Sequence, residues 1–184
     1  MDKLEINLAW MYPNILSLHG ERGSVQAFQK VANNLGIQLN VIRIDNYEQE
    51  IDFKKIDIML FLPGELKVIP IIKNTLSLKL EEIYQYILDN KYIIAIGTTG
   101  ALLGKKIVRQ EGEELEGLGL LDFNSKERKM IIGDDLHFYV NETKQEVLGS
   151  QIQMIDIKLE KEKALGKIIY GYGNCRNWTR RSKK

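Results

Sequence analysis

The stretch that decides the fold is Tyr92-Ile93-Ile94-Ala95-Ile96-Gly97-Thr98-Thr99-Gly100-Ala101-Leu102-Leu103-Gly104. A short apolar, β-branched run from Ile93 to Ile96 halts at small and hydroxylated residues, then resumes as an apolar segment resembling the start of a helix. This reads as a buried strand turning sharply into a helix. The turn has the form of a nucleophile elbow, whose apex in hydrolytic enzymes carries Ser or Cys above a helix N-terminus that favours negative charge. Here the apex is Gly97. Any strand-glycine-helix turn of a parallel sheet has the same pattern, so this segment alone leaves both readings open.

Upstream, Leu4–Trp10 has the alternation of a first strand, and Tyr12-Pro13-Asn14 breaks it. Ser17–Gly23 forms a loop leading to Ser24, the expected N-cap of a helix with an apolar face of Val25, Phe28, Val31, Ala32 and Leu35, ended by Gly36. Ile37–Ile44 is a second strand. Ile58–Leu62 is a third, almost wholly apolar as a central parallel strand should be, and Pro63-Gly64 stops it. The spacing of Leu76, Leu80, Ile83, Tyr84, Ile87 and Leu88 predicts one helix over Leu76–Leu88, closed by Asp89-Asn90. The order of these elements calls for an α/β fold of flavodoxin-like type, with a mostly parallel sheet covered by helices on both faces. After the turn-rich Glu111–Leu121 the chain becomes β-rich, with segments around Lys129–Val140, Glu146–Leu159 and Lys167–Tyr172.

The 184 residues suit a single domain over 1–184 with a substantial core. With 26 Lys+Arg against 25 Asp+Glu, no global charge draws the chain to nucleic acid or membrane. Cys175 is the sole cysteine, which excludes an internal disulfide and a cysteine-based zinc site and fits a reducing, cytoplasmic setting. No apolar run approaches the roughly 20 residues a membrane helix needs, and no secretory leader is recognisable. The expectation is a protein neither secreted nor membrane-embedded. The basic tail from Cys175 to Lys184 reads as a solvated end, with a phosphate or partner contact as the lesser alternative.

Candidate reactive residues are few. Thr98 or Thr99 would need an adjacent base to act as a nucleophile, and a Thr just before a helix is usually a cap. Cys175 sits in a Gly- and Asn-rich turn, as an incidental thiol would. His137 lies in the strand-like run Leu136–Val140, where packing or exposure is the default. Asp134, Asp135 and His137 have no convincing metal-ligand spacing, so no metal and no cofactor are expected.

Four stretches together carry a resemblance across nearly the whole chain: Tyr12-Pro13-Asn14 through Leu18-His19-Gly20-Glu21-Arg22-Gly23-Ser24; Asp57–Gly64; Ala95–Gly104; and Gly117-Leu118-Gly119-Leu120-Leu121-Asp122. In these the sequence resembles the CobB/CobQ-type class I glutamine amidotransferases, and within them the GatD-type glutaminase subunits of lipid II isoglutaminyl synthase. The resemblance implies a chemistry in which an elbow Cys attacks the glutamine amide, a His moves protons and backbone N–H groups hold the oxyanion.

At each of those parts this sequence departs from the family. Gly97 stands at the Cys position, flanked by Thr98 and Thr99 in place of glycines. Leu62, Pro63 and Gly64 replace a Gly-Gly-Gly oxyanion turn, and proline has no N–H to offer. His19 occupies a place the family usually fills with Tyr, and no catalytic role is assigned to it. Gly149-Ser150-Gln151-Ile152-Gln153 stands where a His-bearing stretch is expected, and Gln cannot shuttle protons as His can. The segment carrying the catalytic His would follow Lys167–Gly173, so the expectation is a domain shortened at its C-terminus, with a poorly packed tail.

The resemblance thus implies a catalytically degenerate subunit without catalytic residues of its own. It also implies a Mur-ligase-like partner in peptidoglycan precursor amidation, with self-association as a further possibility. The alternatives are an active glutaminase completed by a partner chain, or a truncated product without function.

Overall fold

The protein is described from a computed structural model covering residues 4–18 and 22–174. His19, Cys175 and the C-terminal tail therefore lie outside the described residues. The chain forms two compact units, Met1–Gly100 and Ala101–Lys184.

The first unit is built on four parallel strands: β1 (Glu5–Met11), β2 (Gln38–Ile44), β3 (Ile58–Phe61) and β4 (Tyr92–Ala95), arranged β2-β1-β3-β4. The four strands expected from the sequence are thus in one parallel sheet. Leu8, Ala9, Trp10 and Met11 are all buried, so both faces of β1 are covered, as the continuous apolar run requires. On one face Leu8, Trp10, Leu60 and Leu62 form a core cluster with Val25 of helix α1 (Arg22–Asn34), and Phe28 packs against it. At the start of the sheet Asp57 ties three strands together. Its carboxylate accepts the Asn7 N–H at 2.8 Å, its own N–H donates to Asn7 O at 2.9 Å, and its carbonyl accepts the Tyr92 N–H at 3.0 Å.

Three expectations about the helices are corrected. Helix α1 begins at Arg22, which leaves Ser24 inside the first turn and not at the N-cap. Val31 and Leu35, assigned to its apolar face, are 57% and 68% exposed, because the buried stripe runs through Val25 and Ala32. The single helix over Leu76–Leu88 is two: α2 (Ile69–Ser77), with Pro70 in its first turn where a missing N–H costs nothing, and α3 (Leu80–Leu88). Leu78, at the break, is 86% exposed, so its apolar character carried no information about packing. Asn90, at φ 58°, turns the chain from α3 into β4.

The segment after β4 is also not an α-helix. Gly97–Leu103, expected to open a helix, is a 3₁₀ run followed by strand β5 (Lys106–Val108). The second unit is a mixed sheet in the order β6-β5-β7-β8, formed with β6 (Leu115–Glu116), β7 (Phe123–Val140) and β8 (Glu146–Leu159), while β9 (Gly166–Tyr170) also pairs with β7. β7 and β8 form a long antiparallel ribbon whose register shifts between Glu127 and Ile132. The β-rich second half matches the sequence reading, but β7 starts at Phe123, earlier than the expected Lys129. Among the described residues, no helix is long and apolar enough to cross a membrane.

Candidate functional site

The elbow lies where β3 and β4 end side by side, with Phe61 opposite Ala95 and the Ile96 N–H donating to Phe61 O at 3.0 Å. Ligands of open α/β sheets bind outside these carboxyl ends, so this is where an active site belongs. Gly97 has φ 64°, a left-handed conformation in which an L side chain is strained, and this produces the sharp turn. The residue is exposed and offers no side chain to attack a substrate.

Pro63 occupies the space above it. A Cβ added to Gly97 would lie 3.2 Å from Pro63 Cγ and 3.4 Å from Pro63 Cβ. The next residue, Gly64, is buried and pressed by the loop after β1, since an added Cβ there would come within 2.5 Å of Leu16 Cδ2. No side chain larger than hydrogen fits at Gly64 unless Leu16 moves.

Both threonines are committed to this backbone. Thr98, 6% exposed, accepts the Gly64 N–H on Oγ1 at 3.1 Å and donates its hydroxyl proton to Gly64 O at 2.5 Å. Thr99 is fully buried, and its Oγ1 lies 3.1 Å from Phe61 O and 2.9 Å from Ile96 O, both of them acceptors. Each hydroxyl proton is therefore directed at a carbonyl oxygen and not at a base, which is the arrangement of a structural tie. In the Leu62-Pro63-Gly64 turn Pro63 has no N–H to present to an oxyanion, and the Gly64 N–H is already taken by Thr98.

The loop after β1 contributes a residue that sequence reasoning did not single out. Tyr12 is fully buried at φ 52°, packs its ring 5.3 Å from Tyr47 and 6.4 Å from Phe61, and has no hydrogen-bond partner for its hydroxyl among the described residues. Burial, with a lesser contribution from Tyr47, pushes its phenol up to about 12. The Tyr12-Pro13-Asn14 break marked the loop, but nothing in the sequence distinguished a buried tyrosine from an exposed one.

The remaining candidates belong to the second unit. His137 Nε2 is 2.9 Å from Glu146 Oε2 on the exposed ribbon. Asp134 Oδ1 accepts the N–H of Asp135 at 2.9 Å. No group of three His, Cys, Asp or Glu side chains is placed to hold a metal among the described residues. Gln151 and Gln153 sit in a polar network. Gln153 Nε2 donates to Asp156 Oδ1 at 2.9 Å and to Asn174 O at 3.0 Å, and Gln151 Nε2 donates to Gly173 O at 2.8 Å and to Gln153 Oε1. Arg128 closes it, with Nη1 2.8 Å from both Asp156 oxygens, a hydrogen bond to the Tyr172 hydroxyl, and the guanidinium 4.7 Å from the centre of the Tyr172 ring. These side chains hold the end of the described chain in place.

No family profile matches the chain. It is similar to the GatD subunit of the glutamine-hydrolysing lipid II isoglutaminyl synthase of Streptococcus pneumoniae (strain ATCC BAA-255 / R6), with 27% identity over 192 aligned positions, 92% of this chain and 66% of the relative. It is similar also to the GatD subunit of the same enzyme in Staphylococcus aureus (strain N315), with 26% identity over 170 positions, 92% of this chain and 69% of the relative. The chain spans about two thirds of the length of these relatives. Together the parallel sheet, the elbow-like turn and these similarities support a GatD-like relationship.

Proposed function

We propose that this chain is a catalytically degenerate, GatD-like amidotransferase subunit of the CobB/CobQ class, which binds a partner and does not hydrolyse glutamine. The observation that carries this reading is the elbow itself: Gly97 at the apex, the Pro63 ring over it, and the neighbouring Gly64 N–H bonded to Thr98. A thiolate mechanism needs a nucleophile, a base and oxyanion donors; here the first place holds a glycine, and in the turn expected to supply donors Pro63 has no N–H and that of Gly64 is bonded to Thr98. The order β2-β1-β3-β4 supports a flavodoxin-like sheet, because it matches the first four places of the order 2-1-3-4-5. By resemblance the partner is a Mur-ligase-like protein that activates a carboxylate with ATP in peptidoglycan precursor amidation. A second reading, an active glutaminase completed by its partner, takes support from the glutamine-hydrolysing name of the relatives.

Purification of the full chain at native expression level, followed by identification of what elutes with it, tests the binding role. A stoichiometric Mur-ligase-like protein in the complex is the expected result. Recovery without any such protein counts against the binding role, and a complex that releases ammonia from glutamine supports the second reading instead.

A further inference from the structure

We propose that residues 12–16 form a latch, a strained turn that shuts the crevice between the carboxyl ends of β1 and β3 with the Leu16 side chain and opens while the sheet stays folded. β1 leads to β2 on one side and β3 leads to β4 on the other, so the connections part at this place, the switch point where ligands of open α/β sheets bind. Leu16 fills it. The side chain is fully buried, and its Cδ2 lies 2.5 Å from where a Cβ on Gly64 would begin, so the seat exists only because residue 64 has no side chain.

Tyr12 is fixed to the sheet on one side and holds the turn on the other. Its N–H donates to Ile44 O, at the end of β2, at 2.7 Å, and its carbonyl accepts the N–H groups of Ile15 at 2.9 Å and Leu16 at 2.8 Å. It does so in an unfavourable conformation. A φ of 52° is left-handed for a bulky L residue, and Tyr12 also precedes Pro13, whose ring favours an extended residue before it. Its hydroxyl is buried with no partner among the described residues. Both costs belong to the closed turn, because lifting it lets φ relax and brings the hydroxyl to water. Opposing them are the burial of Leu16 and two backbone hydrogen bonds that share a single acceptor. The pairings of β1 with β2 and β3 run to Met11 and are not among the losses, so the opening is local. This device goes beyond the degenerate, partner-binding reading and does not depend on it.

Thiol labelling separates a latch from ordinary packing. In a Cys175→Ser background, Leu16→Cys and Leu60→Cys each replace a side chain that is 0% exposed, with Leu60 in the central strand β3. Under native conditions Leu16→Cys is expected to react with a thiol reagent at least about 100-fold faster than Leu60→Cys, at a rate that low urea leaves unchanged. Because cysteine variants can fail to fold, hydrogen exchange on the chain with its own Leu16 is the second measurement. The Ile15 and Leu16 amides should exchange at least about 100-fold faster than the amides of β1 and β3. Gly64→Ala, whose Cβ holds Leu16 off its seat, should speed those two amides by about a further tenfold, and those of β1 and β3 by less. Equal labelling of the two cysteines overturns the latch, as does exchange of Ile15 and Leu16 only together with β1 and β3 and with the same urea dependence. So does a Gly64→Ala effect shared equally by all these amides.

Discussion

The ring of Pro63 stands 3.2 Å from the point where a side chain on Gly97 would begin. These residues are 34 positions apart and meet because β3 and β4 are parallel neighbours that end together. The turn at Gly97 adopts a left-handed backbone, and a side chain placed there would press on the Pro63 ring.

Substituting Gly97 should cost stability chiefly through its backbone. A left-handed conformation costs an L residue about 1–2 kcal/mol, whereas a contact of 3.2 Å with a proline ring asks the neighbour to yield by only a few tenths of an ångström. Gly97→Ala is therefore expected to destabilise the chain by about 1–2 kcal/mol in urea titration. Adding Pro63→Ala should recover only a minor part, and a full recovery would show that the ring, not φ, sets the cost.

Thr98 and Thr99 look alike in the sequence but should differ in a substitution series. Thr98→Val removes the partner of both the N–H and the C=O of buried Gly64, and each buried group left unsatisfied costs about 1–3 kcal/mol. Thr99→Val should cost less, about 1 kcal/mol or below, because Phe61 O still accepts the Ile96 N–H. Thr98→Ser should keep most of the stability of Thr98. Equal losses for the two valine variants would contradict this assignment.

Tyr12 should make the chain sensitive to alkali. Its phenol is held at about 12 in the folded protein against 10.0 for an ordinary tyrosine, so the folded state binds the proton more tightly than the unfolded state. The resulting stability is fully present below pH 10 and is lost as pH rises from 10 through 12. Burial likewise raises Tyr86, whose contribution falls in the same direction. Tyr12→Phe should flatten the alkaline loss. At pH 7 it should leave stability unchanged or raised by up to about 1 kcal/mol, because the buried hydroxyl has no partner among the described residues. Chemical denaturation at pH 7 and pH 11 checks both halves.

In the second unit, Gln153→Glu places a carboxylate where an amide now donates to Asp156 and to Asn174 O. Two donated bonds are lost and like charges meet, so a destabilisation of about 2–3 kcal/mol is expected at pH 7. Acidification should recover part of it as one carboxyl takes a proton and can donate again. A neutral effect at pH 7 would mean that the network does not hold this part of the chain.

Much of this architecture is legible in the sequence because burial on both faces leaves a strong mark. Leu8–Met11 and Ile58–Phe61 are apolar runs that a surface strand would not tolerate, and all four parallel strands lie within one residue of the bounds expected from the sequence. The break between α2 and α3 is not legible, because Ser77-Leu78-Lys79 contains neither Gly nor Pro. The start of β7 ahead of Lys129 is not legible because Asn124–Lys126 is polar yet lies between two strands, pairing with β5 on one side and β8 on the other. At the site, the missing nucleophile is visible as Gly97 and the missing donor as Pro63. Neither the ring of Pro63 over Gly97 nor the capture of the Gly64 N–H by Thr98 can be read from sequence, because both depend on the register between β3 and β4.

The most direct test is ammonia release from glutamine by the Cys175→Ser chain, measured against protein concentration, with Gly97→Cys in the same background alongside. No release above the spontaneous rate is expected from either. Gly97→Cys should be labelled by an alkylating reagent and still fail to turn over, since the loss of even one oxyanion donor costs about 100- to 1,000-fold. Release that rises in proportion to the Cys175→Ser protein and disappears with Thr98→Val or Thr99→Val would contradict the degenerate elbow and make a threonine the nucleophile.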